Sequence, residues 1–314
     1  KKLNMNFGEK KVVVVGDSIL DQTIVTKAVG LSLESPTLKT EEEKVEVTFG
    51  GAANVVNNIL SLGGECTYVT PIRNDEYKRY FDNWDHENLA LAAIEEDGRN
   101  TVKTRIWVDK AGEKYKYLQI NRTETTPFRS INSLLHQVAF HIQGADVLVL
   151  VDYNLGVFED STVASRLISL AKAAGVPVVV SSQSSDDGGR YLRFKGADFF
   201  CMNQREANEI SSTIGGVTKA LGSPVCITLG DSGSMFRYKE ATYRHFGYEV
   251  DCRDQCGAGD AFLASFALGL DEFEGNTFDI CNAWAALSTT KIGTVSPTLK
   301  ELYEFNESKS RTGS

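Results

Sequence analysis

No stretch of this 314-residue chain approaches the roughly 20 consecutive apolar residues of a membrane span. Its N-terminal residues lack the apolar core of a secretory signal. Membrane insertion and secretion are therefore not expected, and the cytosol is the expected compartment. An excess of basic residues is also missing. The 33 Lys and Arg against 42 Asp and Glu leave a net charge of −9, which argues against nucleic acid or an anionic membrane as partner. The six cysteines (Cys66, Cys201, Cys226, Cys252, Cys256 and Cys281) form no CxxC, and the four histidines (His86, His136, His141 and His245) stand apart. Reduced structural thiols are expected rather than a zinc centre or disulfide frame, and no histidine is assigned a catalytic role. No Walker A loop occurs, which excludes a P-loop NTPase, and no G-x-G-x-x-G follows the first strand, which weakens a dinucleotide fold.

What is present is a 42% hydrophobic, 24% charged chain, long enough for one large α/β domain or two small ones. Lys11–Val15 is a β-branched run read as a buried strand, ending at Gly16-Asp17. Residues 22–48 are polar and alternating, with an exposed strand over 39–47. Phe49-Gly50-Gly51-Ala-Ala-Asn54 then opens an amphipathic helix to about Leu62. A short strand over 66–70 and a helix over 75–89 follow. Next come two alternating strands, 101–108 and 114–120, joined as a hairpin with one face expected covered and one wet. From residue 131 helices alternate with strands that end at Asp152-Tyr153, at Asn203-x-x-Glu206 and at Thr228-x-Gly230-x-x-Gly233. That order is the signature of a mostly parallel sheet flanked by helices. A strand-like run over 243–250 precedes the last motif, and the tail from Asn306 reads as polar and frayed.

The densest chemistry lies in Asp254-Gln-Cys256-Gly257-Ala258-Gly259-Asp260, which opens the apolar helical run 261–270. Glycines at a helix mouth let backbone approach a ligand, and the unpaired N–H groups of the first turn favour an anion. A carboxylate in that turn would repel a resting phosphate. It makes sense if the anion is a phosphoryl group in transfer and Asp260 takes a proton from the attacking hydroxyl. The plain alternative is a helix start with glycine for the turn and aspartate as a first-turn charge. Asp17 and Asp21, at a strand's carboxyl end, are candidates for contacting a polyol, with a turn aspartate as the alternative. Gly50, Gly51 and Asn54 present backbone and an amide to a hydroxyl in the same way.

Taken jointly and in order, Gly50-Gly51-Ala-x-Asn54, Asn203-x-x-Glu206, Thr228-x-Gly230-x-x-Gly233 and Asp254-x-x-Gly257-Ala-Gly259-Asp260 resemble the ribokinase (PfkB) family of ATP-dependent sugar kinases. Within it, Gly16-Asp17-x-x-x-Asp21, Thr101-x-Lys103-Thr-Arg105, Gln119 with Arg122 and Glu124, and Asp152-Tyr153-x-x-Gly156 are most similar to the D-glycero-β-D-manno-heptose-7-phosphate kinases of lipopolysaccharide precursor synthesis. The resemblance implies one ribokinase-like α/β domain over residues 1–314. It would carry a mostly parallel central sheet flanked by helices and a small β-sheet lid from about 22–48 and 100–122. It implies Asp260 as catalytic base and the N–H groups of Gly257, Ala258 and Gly259 as the anion hole. Asn203 and Glu206 would organise Mg²⁺ and its waters around ATP, Thr228, Gly230 and Gly233 would line the nucleotide, and Asn282 would lie near adenine. Asp17, Asp21, Gly50, Gly51, Asn54 and Asp152 would hold the sugar, with Lys103 and Arg105 meeting its phosphate. Asp254 and Ser296, the latter in the segment Lys291–Pro297, resemble a monovalent-cation loop, so K⁺ is a further candidate. A homodimer through the lid is expected. The bifunctional relatives carry a fused nucleotidyltransferase domain that this sequence does not reach, so a kinase alone is expected.

Three positions depart from the heptose kinases. Ser181-Ser182-Gln183 stands where they have Asp-Pro-Lys, Leu155 stands where a lysine is expected, and a Ser-Pro-Glu-Ala-Pro stretch survives as Leu33-Glu34-Ser35-Pro36. These departures leave open a kinase for another sugar, nucleoside or hydroxymethyl heterocycle, and a catalytically weak sugar-phosphate-binding member.

Overall fold

The computed structural model describes residues 7–124, 127–183, 189–270 and 277–312. Its strands are β1 (Lys11–Gly16), β2 (Ser18–Leu31), β3 (Leu38–Gly51), β4 (Glu65–Arg73), β5 (Leu89–Glu96), β6 (Thr101–Lys110), β7 (Glu113–Arg122), β8 (Val147–Asp152), β9 (Val178–Ser182), β10 (Phe199–Asn203), β11 (Val225–Thr228), β12 (Ser234–Tyr238) and β13 (Ala241–His245). Its helices are α1 (Ala52–Ser61), α2 (Lys78–Asp82), α3 (Ile131–His141), α4 (Ser161–Ala174), α5 (Gly189–Leu192), α6 (Gln204–Ile210), α7 (Ile214–Leu221), α8 (Ala258–Leu268), α9 (Thr277–Ser288) and α10 (Leu299–Thr312). Among the described residues no helix is long and apolar enough to cross a membrane.

The β-branched runs form a central sheet because side chains that alternate between two faces find apolar cover on both. Val12 and Val14 enter one core with α1, α8 and α9, while Val13 and Val15 enter another with α3 and α4. In β8, Val147, Val149 and Val151 face the first core, Leu148 and Leu150 the second. The sheet order is β13-β12-β11-β10-β9-β8-β1-β4-β5. Pairings from β11 to β5 are parallel, and the β12–β13 hairpin closes one edge antiparallel. Around β1 the chain winds outward in both directions, so a crevice opens at the strands' carboxyl ends.

A second sheet, β3-β2-β6-β7, grows from that same end. Only Asp17 separates β1 from β2, and Gly51 leads β3 straight into α1. Close packing requires glycine at the first junction: a Cβ on Gly16 would lie 2.2 Å from the carbonyl of Val151. The lid strands expected over 22–48 and 100–122 thus extend to Ser18–Leu31, Leu38–Gly51, Thr101–Lys110 and Glu113–Arg122.

Several elements differ from expectation. Residues 75–89 hold only the short α2, followed by β5 paired parallel to β4. Phe81 is buried and Trp84 stacks on Phe49 at 3.9 Å, so tertiary packing of these aromatics takes the place of a continued helix. The run 243–250 is a strand only to His245, as one arm of the β12–β13 hairpin. Both faces of β7 are exposed rather than one being covered. The tail is helical to Thr312. Thr298 and Glu301 cap that helix reciprocally, while Leu302 is buried and Phe305 packs edge-on to Tyr248.

Candidate active site

α8 begins where the crevice is deepest. Gly257 takes a left-handed conformation (φ +83°) at its N-cap, and a Cβ there would sit 2.6 Å from Nδ2 of Asn54. That turn directs Asp260, 8% exposed, into the crevice. Nδ2 of Asn54 donates to its Oδ2 at 2.8 Å, and the Tyr153 hydroxyl donates to its Oδ1 at 2.5 Å. Asn54 is itself oriented by a buried chain: Nε1 of Trp284 donates to Oδ1 of Asn58, whose amide donates to the carbonyl and Oδ1 of Asn54. Because Oδ1 of Asn54 accepts, its Nδ2 is the atom left to face Asp260. Burial pushes the Asp260 carboxyl up to about 6, with the Tyr153 and Asn54 bonds and the Lys103 ammonium pulling down and Asp21 pushing up. Of the expected anion-hole donors, the Ala258 N–H is directed at the Gln255 carbonyl at 3.3 Å. The N–H groups of Gly257 and Gly259 lie in the helix end that has no intrahelical acceptor.

Asp17 and Asp152 meet under this crevice, and both are engaged by protein. Asp17 accepts the backbone N–H groups of Tyr153, Leu155 and Val157 at 2.9–3.3 Å, pinning the loop after β8 to the end of β1. Burial, then the charge of Asp152, raises its carboxyl to about 6 against those three bonds. Asp152 was expected to hold sugar hydroxyls. Both its oxygens are instead taken by Arg190, at 2.9 and 2.8 Å, and the Ser182 hydroxyl donates at 2.8 Å. A buried carboxylate without a cation is costly, and Arg190, itself buried, meets that need. Ser182 is one of the three residues that depart from the heptose-kinase pattern, so the altered segment is built into this network.

At the other end of the crevice, Asn203 and Glu206 form a capping box at the start of α6. Glu206 accepts from the backbone of Asn203 at 2.8 Å and from the Tyr191 hydroxyl at 3.2 Å, both on Oε2. Burial raises its carboxyl to about 7. A cavity of about 200 Å³ connects Asn203, Glu206 and Thr228 with Gly257, Gly259 and Asp260. Gly230 (φ +62°) and Gly233 (φ +94°) shape the turn after β11; a Cβ on Gly233 would lie 2.1 Å from the His245 carbonyl. Asn282 is buried on α9 and donates to the Phe246 carbonyl at 3.5 Å.

The second sheet supplies the other wall. Asp21 is paired with Arg105, both buried, and accepts from the Thr294 hydroxyl at 3.1 Å. Gly50 packs so tightly on Asp21 that a Cβ would fall 2.2 Å from Oδ2. Arg105 is therefore committed to Asp21, whereas Lys103 places its ammonium 5.5 Å from the centre of the Tyr153 ring. The monovalent-cation loop fits such an ion poorly. Asp254 already holds Lys116 at 3.1 Å together with the N–H groups of Cys256 and Gly293. The Ser296 carbonyl holds Lys291 at 3.2 Å. Two ammonium groups thus stand at Asp254 and at the Ser296 carbonyl, so no step is assigned to that ion. Tyr153, Arg190, Asn58, Trp284 and Lys116 were not foreseen as site residues. Tyr153 alone had a signal, following Asp152 at the end of a fully buried strand.

The chain matches the family model described as pfkB family carbohydrate kinase over residues 9–301. It is 29% identical over 320 residues to the bifunctional protein HldE of Caulobacter sp. (strain K31), covering 96% of this chain and 64% of that protein. It is 27% identical over 304 residues to the bifunctional protein HldE of Pelobacter propionicus, covering 90% of this chain and 60% of that protein. The chain thus spans about three fifths of these relatives' length. Among solved structures, Escherichia coli phosphofructokinase-2 in complex with substrates and products matches with a TM-score of 0.78 at 19% identity, covering 96% of this chain and 100% of that one. Arabidopsis thaliana ribokinase complexed with ribose and ATP matches with a TM-score of 0.68 at 15% identity, covering 94% and 98%. These two likenesses establish the ribokinase-like fold.

Proposed function

Because this chain belongs to the pfkB family of carbohydrate kinases, we propose that its crevice transfers the γ-phosphoryl group of ATP to the anomeric hydroxyl of a heptose 7-phosphate. The observation that carries the reading is the single cavity running from Asn203 and Glu206 to Asp260 beside the N-terminus of α8. In it Asp260 takes the proton of the acceptor hydroxyl as the bond from that oxygen to the γ-phosphorus forms. The bond from the γ-phosphorus to the bridging oxygen breaks, and ADP leaves. Asn54 holds the carboxylate in place. The N–H groups of Gly257 and Gly259, with the α8 dipole, offset charge on the phosphoryl oxygens, while the Ala258 N–H is directed at the Gln255 carbonyl.

Thr228, Gly230 and Gly233 line the nucleotide, and Asn282 marks the adenine end. Glu206 suits a hydrated Mg²⁺, since both its hydrogen bonds fall on Oε2 and Oε1 faces no protein donor among the described residues. When bound, that ion would offset the negative charge of the triphosphate. Gly50, Gly51 and Asp21 shape the sugar wall, and Lys103 meets the sugar's phosphate as a point charge. The second sheet acts as a lid whose outward face is covered by a second copy of the chain. The heptose assignment rests on the motifs shared with heptose kinases and is supported by the HldE relatives.

The test is ADP release with Mg·ATP against a panel of sugars and sugar 7-phosphates, with Asp260→Asn as control. Turnover confined to a heptose 7-phosphate is expected. Turnover with another sugar instead would replace the substrate and keep the kinase. Binding of sugar phosphate without turnover would make the chain a binding member of the family.

A further inference from the structure

Tyr153 is fixed at its backbone, its ring and its hydroxyl, and next to it in the chain. Its backbone N–H donates to Asp17, and its neighbour Asp152 is clamped by Arg190. The Lys103 ammonium lies over its ring, and its hydroxyl donates to Oδ1 of Asp260. Lys103 pairs in register with Asp21 across β2 and β6, so the second sheet reaches the proposed base through this ring. Each carboxylate oxygen has two lone pairs. With Asn54 on Oδ2 and Tyr153 on Oδ1, the carboxylate plane is set while each oxygen keeps a site for an incoming hydroxyl.

We propose that Tyr153 is a positioning residue for phosphoryl transfer, its phenol holding Asp260 in the ionised, acceptor-facing state and coupling that state to the second sheet through Lys103. The inference rests on the reading of Asp260 as the base. Tyr153 remains a donor at neutral pH because burial, followed by the adjacent Asp260 charge, raises its phenol well above the ordinary value. The other ionisable groups that bear on the pair are Asp21 and Cys256 on the second-sheet side. Asp152 and Glu206 line the same cavity. None of these donates to Asp260.

Tyr153→Phe removes the donor and keeps the ring. A lost hydrogen bond to a charged group is worth about one pH unit or somewhat more. The acid limb of kcat/KM for the sugar is therefore expected to move up by about that much, while KM for ATP stays unchanged. The Asp260 carboxyl midpoint is read separately by ¹³C NMR of aspartate-labelled protein, with its resonance identified from Asp260→Asn. It is expected to rise in Tyr153→Phe and, by less, in Lys103→Met. An unmoved midpoint and unmoved acid limb in Tyr153→Phe overturn the inference. Activity retained by Asp260→Asn would overturn the base reading instead, and the NMR midpoint keeps the two failures apart because it does not depend on turnover.

Discussion

Asp260 shows how burial and hydrogen bonding divide the work at one residue. Removing a carboxylate from water favours its protonated form, while the donors Asn54 and Tyr153 favour the charged one; burial prevails, and the carboxyl titrates near 6. A base with that midpoint is ionised at neutral pH yet keeps more proton affinity than a free aspartate. kcat/KM for the sugar is accordingly expected to fall as pH drops through about 6. Asp260→Asn is expected to lower kcat by roughly 10²–10⁴-fold with the fold intact. The new amide can accept from Asn54 and donate to the Tyr153 oxygen, so the network closes again. Stability gives an independent reading. The folded midpoint lies above the ordinary 3.8, so the native state holds a proton that the unfolded chain has released between those values. This residue's contribution is therefore fully present below about 3.8 and is lost as pH rises through about 6. The Tm of Asp260→Asn relative to the parent is expected to be higher at pH 7.5 than at pH 5; a difference that does not change with pH would show that the carboxylate is not desolvated in solution.

At the scale of elements, the loop Lys291–Pro297 packs against the loop before α8, and here charge decides what can bind. Lys116 reaches from β7 to Asp254, and Lys291 folds back on the Ser296 carbonyl. A tethered ammonium supplies the positive charge that a monovalent cation would bring, so the phosphoryl-transfer rate is expected to be unchanged when K⁺ is exchanged for Na⁺ at constant ionic strength. Strong activation by K⁺ would mean that both lysines swing aside. The motif residues around this loop were legible because glycine spacing and helix-start carboxylates are local signals, as was the buried run of β1. What escaped was long-range or lacked a turn signal. Arg190 lies 38 residues from Asp152 along the chain, and nothing near it marks it as a partner. The β12–β13 turn uses Lys239 and Glu240 at positive φ, where glycine or asparagine would have announced a hairpin. β5 was hidden because its neighbouring aromatics, Phe81 and Trp84, read as a continuing helix.

For the whole molecule, the central sheet buries both faces under helices, whereas the second sheet leaves β7 exposed on both faces. A bulge in it sets which side chains share a side. Ile106 faces Leu118 but Trp107 faces Lys116, so Tyr117 is an extra residue and the faces exchange there. Lys103, Arg105, Trp107 and Lys116 consequently share the crevice side, and the opposite side carries a cross-strand row of Val45, Ile24, Ile106 and Leu118. Val45 and Leu118 are 42% and 47% exposed, with Ile120 beside them at 51%. A contiguous aliphatic row facing water is unfavourable, and monomeric soluble proteins rarely keep large ones. A second copy laying the same row across it would bury both and stiffen the strands that carry Asp21, Lys103 and Arg105. The double variant Ile106→Lys/Leu118→Lys is therefore expected to sediment as a monomer where the parent sediments as a dimer. Its KM for the sugar should rise, because the proposed sugar wall is on these strands. Its KM for ATP should hold, because Asn203, Glu206, Thr228 and Asn282 sit on the central sheet and its helices. A parent that sediments as a monomer would rule out the second copy, and an equal rise in both KM values would show that the charges disturb the central sheet rather than the second one.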